Sequence, residues 1–132
     1  MINEKTPIRI HTSVDDRTVP YALFMLKTLV SVTNKPELLS VTVHNLNSRS
    51  HREFEQVGCT LCEKPVAPSG GYVGGSTGHG LAVTTALREA CNDEIHVIAD
   101  SDTVVVMKGW DDVVRKKLSS FDIIGATYED IG

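Results

Sequence analysis

The stretch 94–107, EIHVIADSDTVVVM, constrains the fold of this chain more than any other part of it. Ile95-His96-Val97-Ile98-Ala99 has the apolar, β-branched character of a buried strand, and it delivers two carboxylates, Asp100 and Asp102, at its C-terminal end. Thr103-Val104-Val105-Val106 is β-branched again, so the acids are expected where one strand run passes into another. In an extended chain, side chains two apart share a face, which would send both carboxylates the same way. Two acids side by side repel, and neither has a basic partner nearby in sequence. A hard divalent cation, Mg²⁺ or Mn²⁺, would neutralise them through oxygen ligands, which makes Asp100 and Asp102 candidate metal ligands. The plain alternative is a solvated turn, because Asp-Ser-Asp is good turn chemistry.

Strand-like and helix-like stretches alternate around this segment. Ile8-Arg9-Ile10-His11-Thr12 alternates apolar and polar residues as a half-buried strand does, and Ser13-Val14-Asp15-Asp16-Arg17 follows as a polar loop. Pro20 suits the first turn of a helix whose stripe is Leu23, Leu26, Leu29 and Val30, ended by Asn34 and Pro36. A second strand, Val41-Thr42-Val43-His44-Asn45-Leu46, precedes a short helix near 51–57, and a third strand is expected within 59–65. The glycine-dense stretch 68–80 leads into a helix over about 81–91, with Ala82, Ala86 and Ala90 in one row and Val83, Leu87 and Cys91 in the next. Such a face of small residues lets a helix lie close on a sheet.

A further helix begins near Trp110. Asp111 and Asp112 in its first turn and Arg115, Lys116 and Lys117 toward its end match the helix dipole, and Trp110, Val113, Val114 and Leu118 supply its buried side. A last strand is expected over 122–128. The alternation predicts an α/β fold, an open and mainly parallel sheet with helices on both faces. The acidic pair then lies at the carboxyl edge, where such sheets bind ligands. The chain stops at Gly132 directly after the last strand, with no closing helix, so it reads as cut short.

At 132 residues the chain is one domain with enough length for a real core, and its 41% hydrophobic and 23% charged content is that of a soluble globular protein. The formal charge of −4 gives no basic patch and argues against a nucleic-acid binder, although a nucleotide needs only a few contacts. No leader of the basic-then-apolar kind is present, and no apolar run approaches membrane-spanning length. Three cysteines cannot all pair, so a reducing cytoplasm is the expected compartment.

The remaining motifs are weaker. Cys59-Thr60-Leu61-Cys62 has C-x-x-C spacing without a second pair, and in an extended segment positions three apart face opposite ways, so structural cysteines are the better reading. The glycine loop from Gly70 to Gly80 lacks G-x-x-x-x-G-K-[ST] and the dinucleotide spacing. It opens a helix, where free N–H groups attract phosphate; a flexible connector is the alternative. His44 and His96 sit inside strands as packed or edge residues. His11 and His79, at a strand end and a helix start, fall on the expected ligand edge.

In this order the pieces resemble the nucleotide-sugar half of a glycosyltransferase of the A type (GT-A), over roughly 9–128. The resemblance is carried by the first strand with its polar loop, by GSTGHGLAVTTALREA from Gly75 to Ala90, and by HVIADSDTVVVMKGWDDVV from His96 to Val114. It implies a Rossmann-like nucleotide-binding fold and transfer of a sugar from a nucleotide-sugar, a UDP-sugar above all, to an unknown acceptor. Asp100-Ser101-Asp102 would match the family's D-x-D, which holds a divalent metal on the donor diphosphate, with Asp100 or Ser101 on the ribose. Such a metal stabilises the growing negative charge of the leaving group as a Lewis acid. Thr12, Ser13 and Asp15 would match the base and ribose contacts, and Gly80 the glycine at the start of the preceding helix.

The chain also departs from the family. Asn45 and Asn47 stand where many relatives carry an acidic residue, and Gly78 and His79 replace an Arg-Asn pair. Glu129-Asp130 looks like the family's Glu-Asp pair but comes too soon after the D-x-D to be assigned. The family's acceptor region and catalytic base come later than this chain extends, so the resemblance implies a donor-binding half. The uncovered surface of such a half would favour a homo-oligomer.

Asp100-Ser101-Asp102-Thr103-Val104 also resembles the motif of haloacid-dehalogenase-type phosphatases, with Asp100 as nucleophile and Asp102 as acid. That motif opens its domain, whereas here three strand–helix candidates precede it. A non-catalytic α/β module, with the acids serving only as a turn, is the third reading.

Overall fold

The computed structural model describes residues 1–46, 51–58, 60–63, 75–90, 93–122 and 124–125. Strands and helices alternate: β1 (Ile8–Ser13), α1 (Val19–Val32), β2 (Leu39–Leu46), α2 (His51–Gln56), β3 (Thr60–Glu63), α3 (Gly75–Glu89), β4 (Ile95–Asp100) and α4 (Trp110–Leu118). The four strands form one parallel sheet in the order β3-β2-β1-β4. β1 pairs on both sides from its first residue, Ile8 opposite Leu39 of β2 and opposite Ile95 of β4. The chain therefore steps outward from β1 through β2 to β3 and then crosses back to the far side of β1. Right-handed crossovers require the helices of the outward and return steps to lie on opposite faces.

Packing agrees with that rule. One face of the sheet carries Ile8, Ile10, Val41, Val43 and Ile95, which form a single core with Ala22, Met25, Leu26 and Leu29 of α1, Phe54 of α2 and Trp110 of α4. Fully burying each aliphatic or aromatic side chain here contributes about 1.5–3 kcal/mol. Pro20 does lie in the first turn of α1. The helix is turned slightly from the expected stripe, so that Leu26 and Leu29 are buried while Val30 is 56% exposed. The opposite face carries the alternate residues Arg9, His11 and Ser13, and α3 covers it with its buried Ala82 and Ala86. The sheet is thus open and parallel with helices on both faces.

The structure departs from expectation in several places. Residues 103–107 are not a strand: the Thr103 N–H donates to the Asp100 carbonyl at 3.1 Å, which closes a turn and takes the chain off the sheet. A β-branched run forms a strand only where a neighbour accepts its backbone, and Val104 and Val106 are instead exposed. The helix expected from 81 starts at Gly75, so Gly75, Gly78 and Gly80 are helical despite their poor propensity. β4, though its sequence reads as a buried strand, lies at one edge of the described sheet, as β3 lies at the other. Most of the strand expected over 122–128 lies outside the described residues, as do Asn47, Cys59, Cys91, Glu129, Asp130 and the loop 64–74.

α4 holds the largest surprise, because much of its buried side is charged. Asp111 and Arg115 are 0% and 3% exposed, whereas Val113 is 39% exposed. Asp111 accepts the backbone N–H groups of Asn34 at 2.9 Å and Lys35 at 3.0 Å, and it pairs with Arg115 at 2.9 Å. Arg115 in turn donates through Nε to the Thr6 carbonyl at 2.8 Å, and Trp110 Nε1 donates to Thr33 Oγ1 at 2.9 Å. Gly109, at φ 76°, lies so close to Asn34 that a Cβ there would meet its Nδ2 at 2.9 Å. Asp112 pairs at the rim with Lys35.

This clamp ties the chain after α1 to the start of α4. Burial pushes the Asp111 carboxyl upward, but the bonds from Asn34, Arg115 and Lys35 outweigh it and hold the group below the ordinary carboxylate value. Asp111→Asn leaves Arg115 without its buried partner and turns an amide toward backbone donors. It should cost on the order of 3 kcal/mol, read as a lower urea midpoint, while Asp112→Asn at the half-buried rim leaves the midpoint close to wild type.

Candidate functional site at the carboxyl edge of the sheet

The reversal of strand order falls between β1 and β4, and at their carboxyl ends Ser13 is the register partner of Asp100. Open α/β sheets bind ligands in the crevice at such a switch point. Asp100 ends β4, and Ser101 and Asp102 form the turn that follows. Ser101 is buried, and both acids are exposed. The turn means that strand alternation no longer fixes their relative direction. Neither carboxylate has a hydrogen-bond or ion-pair partner among the described residues. Among those residues no group of three or more His, Cys, Asp and Glu is placed to hold a metal. Asp100 and Asp102 could thus supply two hard oxygen ligands, with the rest of a coordination sphere left to water or a ligand's phosphates.

The other expected contacts divide between ligand edge and scaffold. Ser13 lies at the edge. Thr12 is 1% exposed, with its Oγ1 buried and without a hydrogen-bond partner among the described residues. Asp15 is a capping residue: its Oδ1 accepts the N–H groups of Arg17 at 2.9 Å and Thr18 at 3.0 Å, and Thr18 Oγ1 accepts the Asp15 N–H at 2.9 Å. This reciprocal pair fixes the loop that carries the chain from β1 into α1. Asn45 falls near the carboxyl end of β2, with its side chain outside the described residues. Gly80 lies within α3, where open space surrounds the position of a Cβ, so close approach does not require glycine there. His79 on α3 lines a small pocket together with Ser13, His44, Ala82 and Ile98.

Beneath that pocket lies an arrangement that the sequence reading missed. His11 is not an edge residue but the middle of a buried row across three strands. Its Nδ1 meets His44 Nε2 on β2 at 3.0 Å, and its Nε2 meets His96 Nδ1 on β4 at 3.0 Å. The rings stack with centroids 5.3 Å apart on each side. His96 Nε2 lies 3.6 Å from Glu94 Oε2, which Arg9 Nε also approaches at 3.3 Å. Arg9 further donates to Thr42 Oγ1 at 3.2 Å. The available signal was phase: each of the three histidines occupies a polar position of its strand.

The pocket encloses about 10 Å³, room for roughly one water molecule and far below the roughly 300–1,000 Å³ of small-molecule sites. A nucleotide-sized ligand would thus have to extend from it along the edge. No family model, curated protein or solved structure matches the chain.

Burial, reinforced by His44, His96 and Arg9, pushes His11 down from 6.5 to about 4, against an upward pull from Glu94. A histidine lowered in the folded state binds its proton more readily when unfolded. Its contribution to stability is therefore complete above about 6.5 and is lost as pH falls toward about 4. Unfolding free energies measured between those limits should fall with pH in the wild type, and the slope should be shallower in His11→Gln.

Proposed function

We propose that the chain binds the donor of a GT-A-type glycosyl transfer, a nucleotide-sugar held with Mn²⁺ or Mg²⁺ at the carboxyl edge of the sheet. The observation that carries this reading is the pairing of Ser13 with Asp100 at the strand-order reversal. Asp100 and Asp102 would hold the metal against the diphosphate. Ser13 and Ser101 would contact the ribose and base, with Asn45 and the loop shaped by Thr12 and Asp15 beside them. A UDP-sugar is the favoured donor, and α3, entering the sheet from this edge, would close over it near Gly80. The compartment proposed is the cytoplasm, in keeping with three cysteines. Among the described residues no helix is long and apolar enough to cross a membrane. Self-association through uncovered apolar surface is part of the same reading, and light scattering reports it directly.

The turn closed by Thr103 on Asp100 favours, as a second reading, a module in which the acids only shape a loop. A phosphatase of the haloacid dehalogenase type gains less support, since the acids follow the fourth of the described strands and not the first.

Titration calorimetry with UDP separates these. The donor-binding reading expects Mn²⁺ to tighten UDP binding about tenfold or more in the wild type and to have no such effect in Asp102→Asn. Equal, metal-independent affinities in the two proteins would refute the metal bridge. A beryllium fluoride adduct at Asp100 would instead support the phosphatase.

A further inference from the structure

Residues 102–108, Asp-Thr-Val-Val-Val-Met-Lys, have the composition of a strand and form none. Among the described residues no backbone hydrogen bond involves Val104, Val105 or Val106. Val105 is half-buried and packs against the main core, while Val104 and Val106 are 44% and 82% exposed. One side of the run is thus anchored and the other faces solvent, as on a strand that lacks its neighbour. Open backbone beside exposed β-branched side chains is what a second extended chain pairs with.

The charges at the two ends of the run select the partner. Asp102 and Lys108 are both exposed, and neither is ion-paired among the described residues. Two copies laid antiparallel about Val105 place Asp102 of each opposite Lys108 of the other. The same register sets Val104 opposite Val106 twice and Val105 opposite itself. Residues directly opposite in an antiparallel pair share a face, so exposed valine meets exposed valine and acid meets base. Parallel pairing of the same run would set acid beside acid and base beside base.

We propose that 102–108 is a self-pairing edge, through which two copies of the chain associate antiparallel on a two-fold axis at Val105. The ladder supplies partners for the open N–H and C=O groups of the three valines. Val104 and Val106 cover one another across it, and an ion pair closes each end. So short a ladder makes a small interface, in the class below about 1,200 Å² of total buried surface, and the association is weak and reversible. The proposal rests on the self-association part of the proposed function, for which it names the surface, and needs neither metal nor nucleotide.

Charge-exchanged variants of the full chain, compared by sedimentation equilibrium in metal-free buffer, test it. Asp102→Lys puts lysine at both ends of the run, and Lys108→Asp puts aspartate at both. Each variant alone sets like charges opposite each other and should associate about tenfold or more weakly than the wild type. An equimolar mixture of the two pairs unlike ends and should recover association as a heterodimer. In the wild type, isotope-filtered NOE spectra of a mixed labelled sample should connect Val104 of one copy with Val106 of the other, which decides even if a variant does not fold. A wild type that stays monomeric up to millimolar concentration would overturn both this surface and the self-association itself. A dimer without those contacts, or variants that associate as tightly as the wild type, would overturn the surface alone.

Discussion

The two-sided pairing of β1 is the constraint on which the rest of the structure depends. Because Ile8 meets Leu39 and Ile95 at the same level, β2 and β4 are set in register across β1. That shared start sends Ile8, Ile10, Val41, Val43 and Ile95 to the face of α1 and the main core. It sends Arg9, His11, Thr42, His44 and His96 to the other. A one-residue slip of β4 would turn Ile95 out of the core and His96 into it, at the cost of several buried contacts. The same register brings Ser13 level with Asp100, so packing of the core and geometry of the candidate site have one cause.

The two faces of the sheet are stabilised differently. The α1 face is a conventional apolar core whose rim is locked by the Asp111–Arg115 clamp. The α3 face is polar, and a hydrogen-bonded row with an ion pair at its end replaces side-chain packing over much of β1. Such a layer is favourable only when each buried group is satisfied, and the small residues Ala82 and Ala86 let α3 pack over it. The polar layer and the carboxyl edge meet at the pocket, which is lined by His11 and His44 as well as by Ser13.

The alternation of strand and helix was legible because it rests on periodicity along the chain. β1, α1, β2, β4 and α4 all fall within a few residues of where apolar spacing, Pro20 and the acidic first turn of α4 place them. What was not legible depends on partners remote in sequence. Asp111 looks like a dipole-matching residue until Asn34, Lys35 and Arg115 are brought to it by the fold. The histidine row needs the strand order, which three separate alternating stretches do not contain. The run 103–106 misled because β-branched residues favour a strand without ensuring a neighbour to pair with. The acidic pair itself was placed correctly at the carboxyl edge, but as an exposed turn and not as two positions of one strand.

The central claim is that a metal–nucleotide complex sits where β1 and β4 part. Backbone NMR spectra recorded with substoichiometric Mn²⁺, in the presence and absence of UDP, test it most directly, because the ion broadens only resonances near it. The account predicts that UDP concentrates the broadening at Ser13, Asp100, Ser101 and Asp102 and leaves the Asp111–Asp112 end of α4 sharp. Broadening centred on Asp111 and Asp112, or none that UDP induces at the carboxyl edge, would contradict it.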